Sequence, residues 1–316
     1  GARIVLNQLS NTADVEGRGS LVLPATSNLA GGELKQSTPV VIHWRDFMKF
    51  KGADRWAEFQ GKVTAKQNDS YVICHIMQVR TDKPVDFSRR AKPGTKNDAR
   101  IESVRCYPAP EDLRDEPKDA YWVTYEDAAY DDAGRPIKRQ RLTARELEMT
   151  ARAFEPGGRD PHQRVVANGP GTIRILQTGL KDEAAPDAKA TTAAPPPSAS
   201  DLKLTVVYFA GRMIARDFGS VYQDATFQDA TDLLHLPAEN LDAAPDRNKL
   251  PPGSMRLTCA ERLVVSSHKK PGQATLQRRA GFGDARIRSD QYDGWGESVS
   301  SDGPTVTLRG GENTLA

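Results

Sequence analysis

The residues able to do chemistry are few and scattered. Five histidines, His43, His75, His162, His235 and His268, fall at no metal-ligand spacing. Cys74 and His75 are adjacent, but neighbours on a strand point to opposite faces and cannot share one ion. Three cysteines, Cys74, Cys106 and Cys259, are too few for a disulfide scaffold, and at least one must be unpaired. Cys74 and Cys259 sit inside the alternating stretches "SYVICHIMQV" and "SMRLTCAERLVV", where a thiol acts as a small buried hydrophobe. "GFGDAR" (Gly281–Arg286) begins like a dinucleotide-binding turn but lacks the third glycine and a following helix. "GRGS" and "GPGT" have no phosphate-loop lysine downstream, and there is no G-x-S-x-G elbow. "YEDAAYDD" (Tyr125–Asp132) could supply the carboxylate pair of a glycoside hydrolase, but it reads better as a solvated hairpin turn. The expectation is a non-enzymatic protein without metal or cofactor.

Composition narrows the class. The chain has 316 residues, with 44 Lys+Arg against 42 Asp+Glu, so bulk charge gives no reason to expect nucleic acid. Apolar residues make up 38% and charged residues 27%, a balance suited to thin, two-layer cores with much solvated surface. No apolar run approaches the roughly 18–20 residues of a membrane-crossing helix. The first residues, "GARIVLNQL", lack the basic-then-apolar order of a signal peptide, and an export signal is expected to have been removed.

The elements that must position any site are strands. "GSLVLP", "PVVIHW", "GKVTA", "SYVICHIMQV", "ARIESVRCY", "AYWVTY", "GTIRIL", "LTVVYF", "RLVVSS" and "TVTLRG" are β-branched or aromatic in period-two runs. Gly, Asp, Asn and Pro clusters punctuate them as turns between antiparallel strands. "KDEAAPDAKATTAAPPPSAS" (Lys181–Ser200) has no large apolar residue and is expected to be a disordered loop or linker. It divides the chain into expected modules at 1–180 and 201–316.

The chain also repeats itself. "DARIES" (Asp98–Ser103) returns as "DARIRS" (Asp284–Ser289), and other landmarks precede both in the same order. They are "GRGSLVL" and "GPGTIRI", Trp44 with Met48 and Tyr208 with Met213, "AEFQGKV" and "ATFQDAT", then Cys74 and Cys259. The second copy is longer between Phe227 and Cys259, where "AENLDAAPDRNKLPPG" reads as a polar insertion at a sheet margin. A shorter phrase recurs as apolar-x-small-x-x-apolar-x-apolar. It runs through Val72, Cys74, Met77 and Val79, and again through Leu142, Ala144, Leu147 and Met149. In "LTCAERLVV" it carries one extra residue, expected as a bulge. "TARELEMTARAF" (Thr143–Phe154) has helical propensity, but its place in this phrase predicts strand.

This combination resembles the OstA-like (LptA-like) family of lipopolysaccharide-transport proteins. The resemblance lies in phrases such as "AEFQGKVTA…SYVICHIMQV" and the return "GFGDARIRSDQYDGWGESVSSDGPTVTLRG". It implies an all-β fold of tandem β-jellyrolls, V-shaped stacks of antiparallel strands, in a periplasmic protein. It further implies a greasy trough for lipopolysaccharide or another amphipathic lipid, and edge-to-edge β-pairing with itself or with other envelope proteins. Ten positions are expected to face inward: Phe59, Val72, Cys74, Met77, Val79, Phe227, Leu257, Cys259, Leu263 and Val265. The same ten would equally build an ordinary sandwich core that holds no ligand. Two basic clusters, "RRAKPGTK" (Arg89–Lys96) and "RPIKRQR" (Arg135–Arg141), read as solvated faces able to meet anionic head groups.

Overall fold

Alternating apolar side chains with turn-forming breaks leave the backbone one economical choice, antiparallel pairing. The computed structural model follows it. It describes residues 3–27, 29, 33–85, 100–110, 122–130, 136–154, 161–178, 202–218, 222–268, 276–302 and 305–310. Lys181–Ser200 and Arg89–Lys96 lie outside the described residues. Every regular element among the described residues is a strand, and the strands pair antiparallel.

The strands begin with β1 (Arg3–Asn7), β2 (Thr12–Glu16), β3 (Gly19–Ser27), β4 (Glu33–Trp44), β5 (Phe47–Lys51), β6 (Trp56–Gln67) and β7 (Ser70–Thr81). There follow β8 (Ile101–Tyr107), β9 (Val123–Tyr130), β10 (Pro136–Ala144), β11 (Glu146–Ala153), β12 (His162–Asn168), β13 (Gly171–Thr178) and β14 (Leu202–Phe209). The chain continues through β15 (Arg212–Asp217), β16 (Tyr222–Gln228), β17 (Thr231–Pro237), β18 (Met255–Cys259) and β19 (Arg262–His268). It closes with β20 (Leu276–Ser289), β21 (Asp293–Ser301) and β22 (Val306–Arg309). "TARELEM" is strand, in β10 and β11, so pairing overrides its helical propensity. "YEDAAYDD" is not a solvated turn where it is described. Tyr125 to Tyr130 lie in β9, and buried Glu126 accepts a hydrogen bond from Tyr71 Oη at 2.7 Å.

The chain forms two compact units. The first is Gly1–Glu126, Thr143–Gly169 and Met213–Phe218; the second is Asp127–Leu142, Pro170–Arg212 and Gly219–Ala316. In the first, β3, β4, the end of β6, the start of β7 and the start of β9 pair in succession. A second succession runs β1, β2, β5, the start of β6, the end of β7, β8, β11 and β12. β6 and β7 therefore belong to both walls. In the second unit one wall runs β13, β14, β17, β18 and the end of β20. The other runs β16, β19, the start of β20, the end of β21 and β22.

Where a strand leaves one wall for the other, it turns a corner, and neighbouring corners are tied by backbone hydrogen bonds. In the first unit Gly17 N donates to Asp46 O at 2.7 Å and Arg45 N to Gly61 O at 2.7 Å. In the second, Gly211 N donates to Gln228 O at 3.2 Å, Ala230 N to Ala260 O at 2.8 Å, and Ala260 N to Gly283 O at 2.7 Å. Gly61 and Gly283 adopt φ of 83° and 74° at these corners, a region closed to most side chains.

The corners break the period-two pattern without turning the apolar face outward. Inward residues step by two along each wall, then by four across the corner, as from Phe59 to Val63 and from Phe227 to Thr231. From Cys74 to Met77 and from Ala144 to Leu147 the step is three. The extra residue in "LTCAERLVV" is therefore the commoner four-residue step, from Cys259 to Leu263.

The repeat has a geometric counterpart, with two corrections to the alignment read from sequence. Gly19 lies opposite Trp44 and Gly171 opposite Phe209, so Phe209 rather than Tyr208 takes the place of Trp44. Ile101 opens β8 opposite Thr81, whereas Ile287 lies past the Gly283–Asp284 corner opposite Leu257. By register the counterpart of Ile287 is Tyr125, opposite Val72. The two DARI phrases are thus not equivalent, although the landmarks around them are.

Candidate functional site: interior, edges and arginine faces

The ten inward positions come together around the corners of their own units. Phe59, Val72, Cys74, Met77, Val79, Phe227, Leu257, Cys259 and Leu263 are each at most 4% exposed, and Val265 is half-buried. Phe59 lies opposite Met77, and its ring centroid is 5.4 Å from that of Trp44. Phe227 lies opposite Leu263, 5.7 Å from Phe209. Near the corners, then, the interior is filled by its own side chains. The three cysteines are free and buried. Burial pushes the Cys74 thiol up, reinforced by its hydrogen bond with Cys106, and burial also raises Cys259.

Away from its corners, the interior of the second unit changes character. Ile173, Ile175 and Val265 are half-buried, and β14 and β17 place Thr205 opposite His235. Thr205 Oγ1 and His235 Nδ1 are 2.9 Å apart. Burial, with Arg279 and Lys203 nearby, lowers the His235 pKa to about 4. Arg279, opposite Val265, donates to Gln277 Oε1 at 3.3 Å, and burial lowers its pKa.

Sequence reasoning missed a second apolar layer. The insertion after β17 was expected to be a polar margin, but it returns across the outer face of β14 and β17. Leu241, 1% exposed, joins Leu176, Leu204, Val206, Leu234 and Leu236. Arg174 fixes the insertion by donating from Nε to Leu241 O at 2.7 Å and from Nη2 to Ala243 O. Arg141 also pairs with Asp242, whose carboxyl it holds below the usual range. The legible signal was the run "LTVVYF", apolar at consecutive positions and so fit to be covered on both faces. Leu241→Ala is expected to lower unfolding free energy by about 2–4 kcal/mol, because the site cannot collapse around the lost side chain. Urea unfolding checks this, and a change within error would mean the insertion does not dock.

The open edges and outer faces carry the remaining candidates. β1 pairs antiparallel with β2, and all five of its residues are exposed, with Ile4 at 62% and Leu6 at 67%. On β21, Trp295 is 76% exposed, opposite Arg286. The arginines of this face are closed into ion pairs. Arg256 reaches Asp232 with Nε and Nη2, each at 2.9 Å, and Arg286 reaches Asp293 at 3.0 and 2.7 Å. Arg286, with Arg288, holds the Asp293 carboxyl below its usual range. Among the described residues no helix is long and apolar enough to cross a membrane.

These observations define a class: an all-β protein of antiparallel strands turned repeatedly at corners, with its interior packed from both walls around those corners. The chain matches no protein-family model, no curated protein and no solved structure.

Proposed function

We propose that this is a non-enzymatic envelope scaffold of the OstA-like kind, built of tandem β-jellyrolls, that pairs edge-to-edge with further β-strands. The observation that carries the reading is β1. A strand hydrogen-bonded along one side, with Ile4, Val5 and Leu6 in solvent, is a template for another chain and a hazard if left uncovered. The interior filled around the corners suits the role, because those parts of the stack need no ligand to complete their core.

The test is a photo-activated cross-linker at Val5, used on the protein in its own envelope. Adducts to a second copy or to another β-rich envelope protein, lost with Ile4→Lys plus Leu6→Lys, would support edge pairing. No adduct, together with unchanged sedimentation across concentrations, would remove it.

A second reading, conveyance of an amphipathic glycolipid such as lipopolysaccharide, draws on the second unit's interior. Ile173, Ile175 and Val265 offer apolar surface there beside a cationic Arg279, a combination suited to acyl chains and an anionic head group. Native mass spectrometry with lipid extraction separates the readings. A stoichiometric lipid displaced by Val265→Asp favours conveyance, and a clean apo mass that takes up no added lipopolysaccharide favours the scaffold.

A further inference from the structure

We propose that the outer face of β6, β7, β8, β11 and β12 in the first unit binds a phosphate-bearing anion. The site is a cleft lined by Arg55, Arg80, Arg105 and Arg164 with Glu102 and Glu148. Register builds it from two adjacent cross-strand rows. One row reads Trp56, Arg80, Ser103, Thr150, Arg164, and the other reads Glu58, Gln78, Arg105, Glu148, Val166.

The second row consumes its own charges. Glu58 accepts from Gln60 Nε2 at 2.6 Å and from Gln78 Nε2 at 2.7 Å. Glu148 lies 3.2 Å from Arg105 Nε and 3.8 Å from Arg164 Nη2. The first row has no carboxylate of its own, and its two guanidiniums flank two hydroxyls; Glu148 reaches in from the second row to Arg164 and accepts from Thr150 Oγ1 at 3.4 Å. Among the described residues Arg80, which is exposed, makes no ion pair, and the Nε of Arg164 is buried without a hydrogen-bond partner. Glu102 Oε2, buried without a hydrogen-bond partner, lies 3.8 Å from Arg55, so Arg55 offsets this carboxylate while Arg80 makes no ion pair among the described residues.

The unused guanidinium donors of Arg80 and Arg164, with the Ser103 hydroxyl between them, match the several acceptor oxygens and double charge of a phosphate. The second unit supplies the contrast. Its Arg256 and Arg286 have their forks filled by Asp232 and Asp293, so they have little left to offer a ligand. The phosphate could arrive free or on a lipid head group, and the chemistry of the cleft is the same for both.

The test titrates inorganic phosphate and pyrophosphate into the protein by calorimetry at low salt. In parallel the protein is sedimented with phosphatidylcholine vesicles, with and without phosphatidic acid. Saturable binding of one of these probes is expected. Arg80→Gln and Arg164→Gln should each weaken it about tenfold, the scale of one charge-assisted contact, while Arg286→Gln leaves it unchanged. Binding of the free ions alone would identify a soluble phosphate ligand, and binding of phosphatidic acid vesicles alone a head group. No saturable binding of any probe overturns the proposal. So does loss shared equally by Arg286→Gln, which would be general charge attraction. Circular dichroism of each variant confirms that the sheet is intact.

Discussion

Phe59→Ala is expected to cost about 3–5 kcal/mol of unfolding free energy, and Phe227→Ala a similar amount. Both rings are essentially without solvent, and both sit where a strand meets its corner. Each contacts the aromatic residue that ends a strand of the other wall: Trp44 for Phe59, Phe209 for Phe227. Truncation opens a cavity at the point where neither wall can close inward, because the corner hydrogen bonds hold the backbone. Against a typical total of about 5–15 kcal/mol, a loss of this size shifts the urea midpoint far outside error. The partner glycines make the complementary test. A Cβ on Gly19 would lie 2.2 Å from a Trp44 ring carbon, and one on Gly171 2.3 Å from a Phe209 ring carbon. Gly19→Ala and Gly171→Ala should therefore destabilise by about 1–3 kcal/mol through overpacking. If either phenylalanine can be truncated for less than about 1 kcal/mol, the aromatic corner is not a keystone of its unit.

Mild acid should weaken the second unit through His235. His235 is held neutral by burial and by the positive charge of Arg279 and Lys203, with its pKa near 4 in the fold against about 6.5 in the unfolded chain. Between those values the unfolded chain binds the proton and the folded one refuses it, so stability falls as pH drops from about 6.5 to 4. The full effect is about 3 kcal/mol, of which roughly 2 kcal/mol is reached by pH 5. His235→Gln should flatten this part of the profile while keeping a polar partner for Thr205. Urea midpoints at pH 7.5 and pH 5 decide it. Equal acid sensitivity in the wild type and the variant would place the proton elsewhere.

Much of the fold was legible because strand periodicity is local. The phrase through Leu142, Ala144, Leu147 and Met149 identified strand against its own helical propensity, since its siblings could be nothing else. What escaped was information carried by register. A tyrosine beside a phenylalanine gives no sign of which faces the partner wall, so Tyr208 was aligned where Phe209 belongs. The DARI phrases match in letters but not in place, because similarity of a few residues says nothing about which neighbour they lie against. Leu241 was hidden for another reason: one leucine among prolines and aspartates looks like a loop until the double-sided strand beneath it is known. The inward set was readable in identity, whereas its degree of packing was not, because alternation reports direction and not how much of the space is filled.

The corners also fix where this chain can tolerate a change of length. In mid-strand, one added residue would swap the inward and outward sets of everything beyond it. Across a corner, steps of three and four both occur and both deliver the next apolar side chain to the interior. Single-residue insertions and deletions can therefore accumulate at backbone points that are themselves tied by hydrogen bonds, where length variation would ordinarily be unwelcome. Related chains should differ in length at the bends as well as at the outer loops, and an alignment that forbids gaps inside strands would miss their kinship.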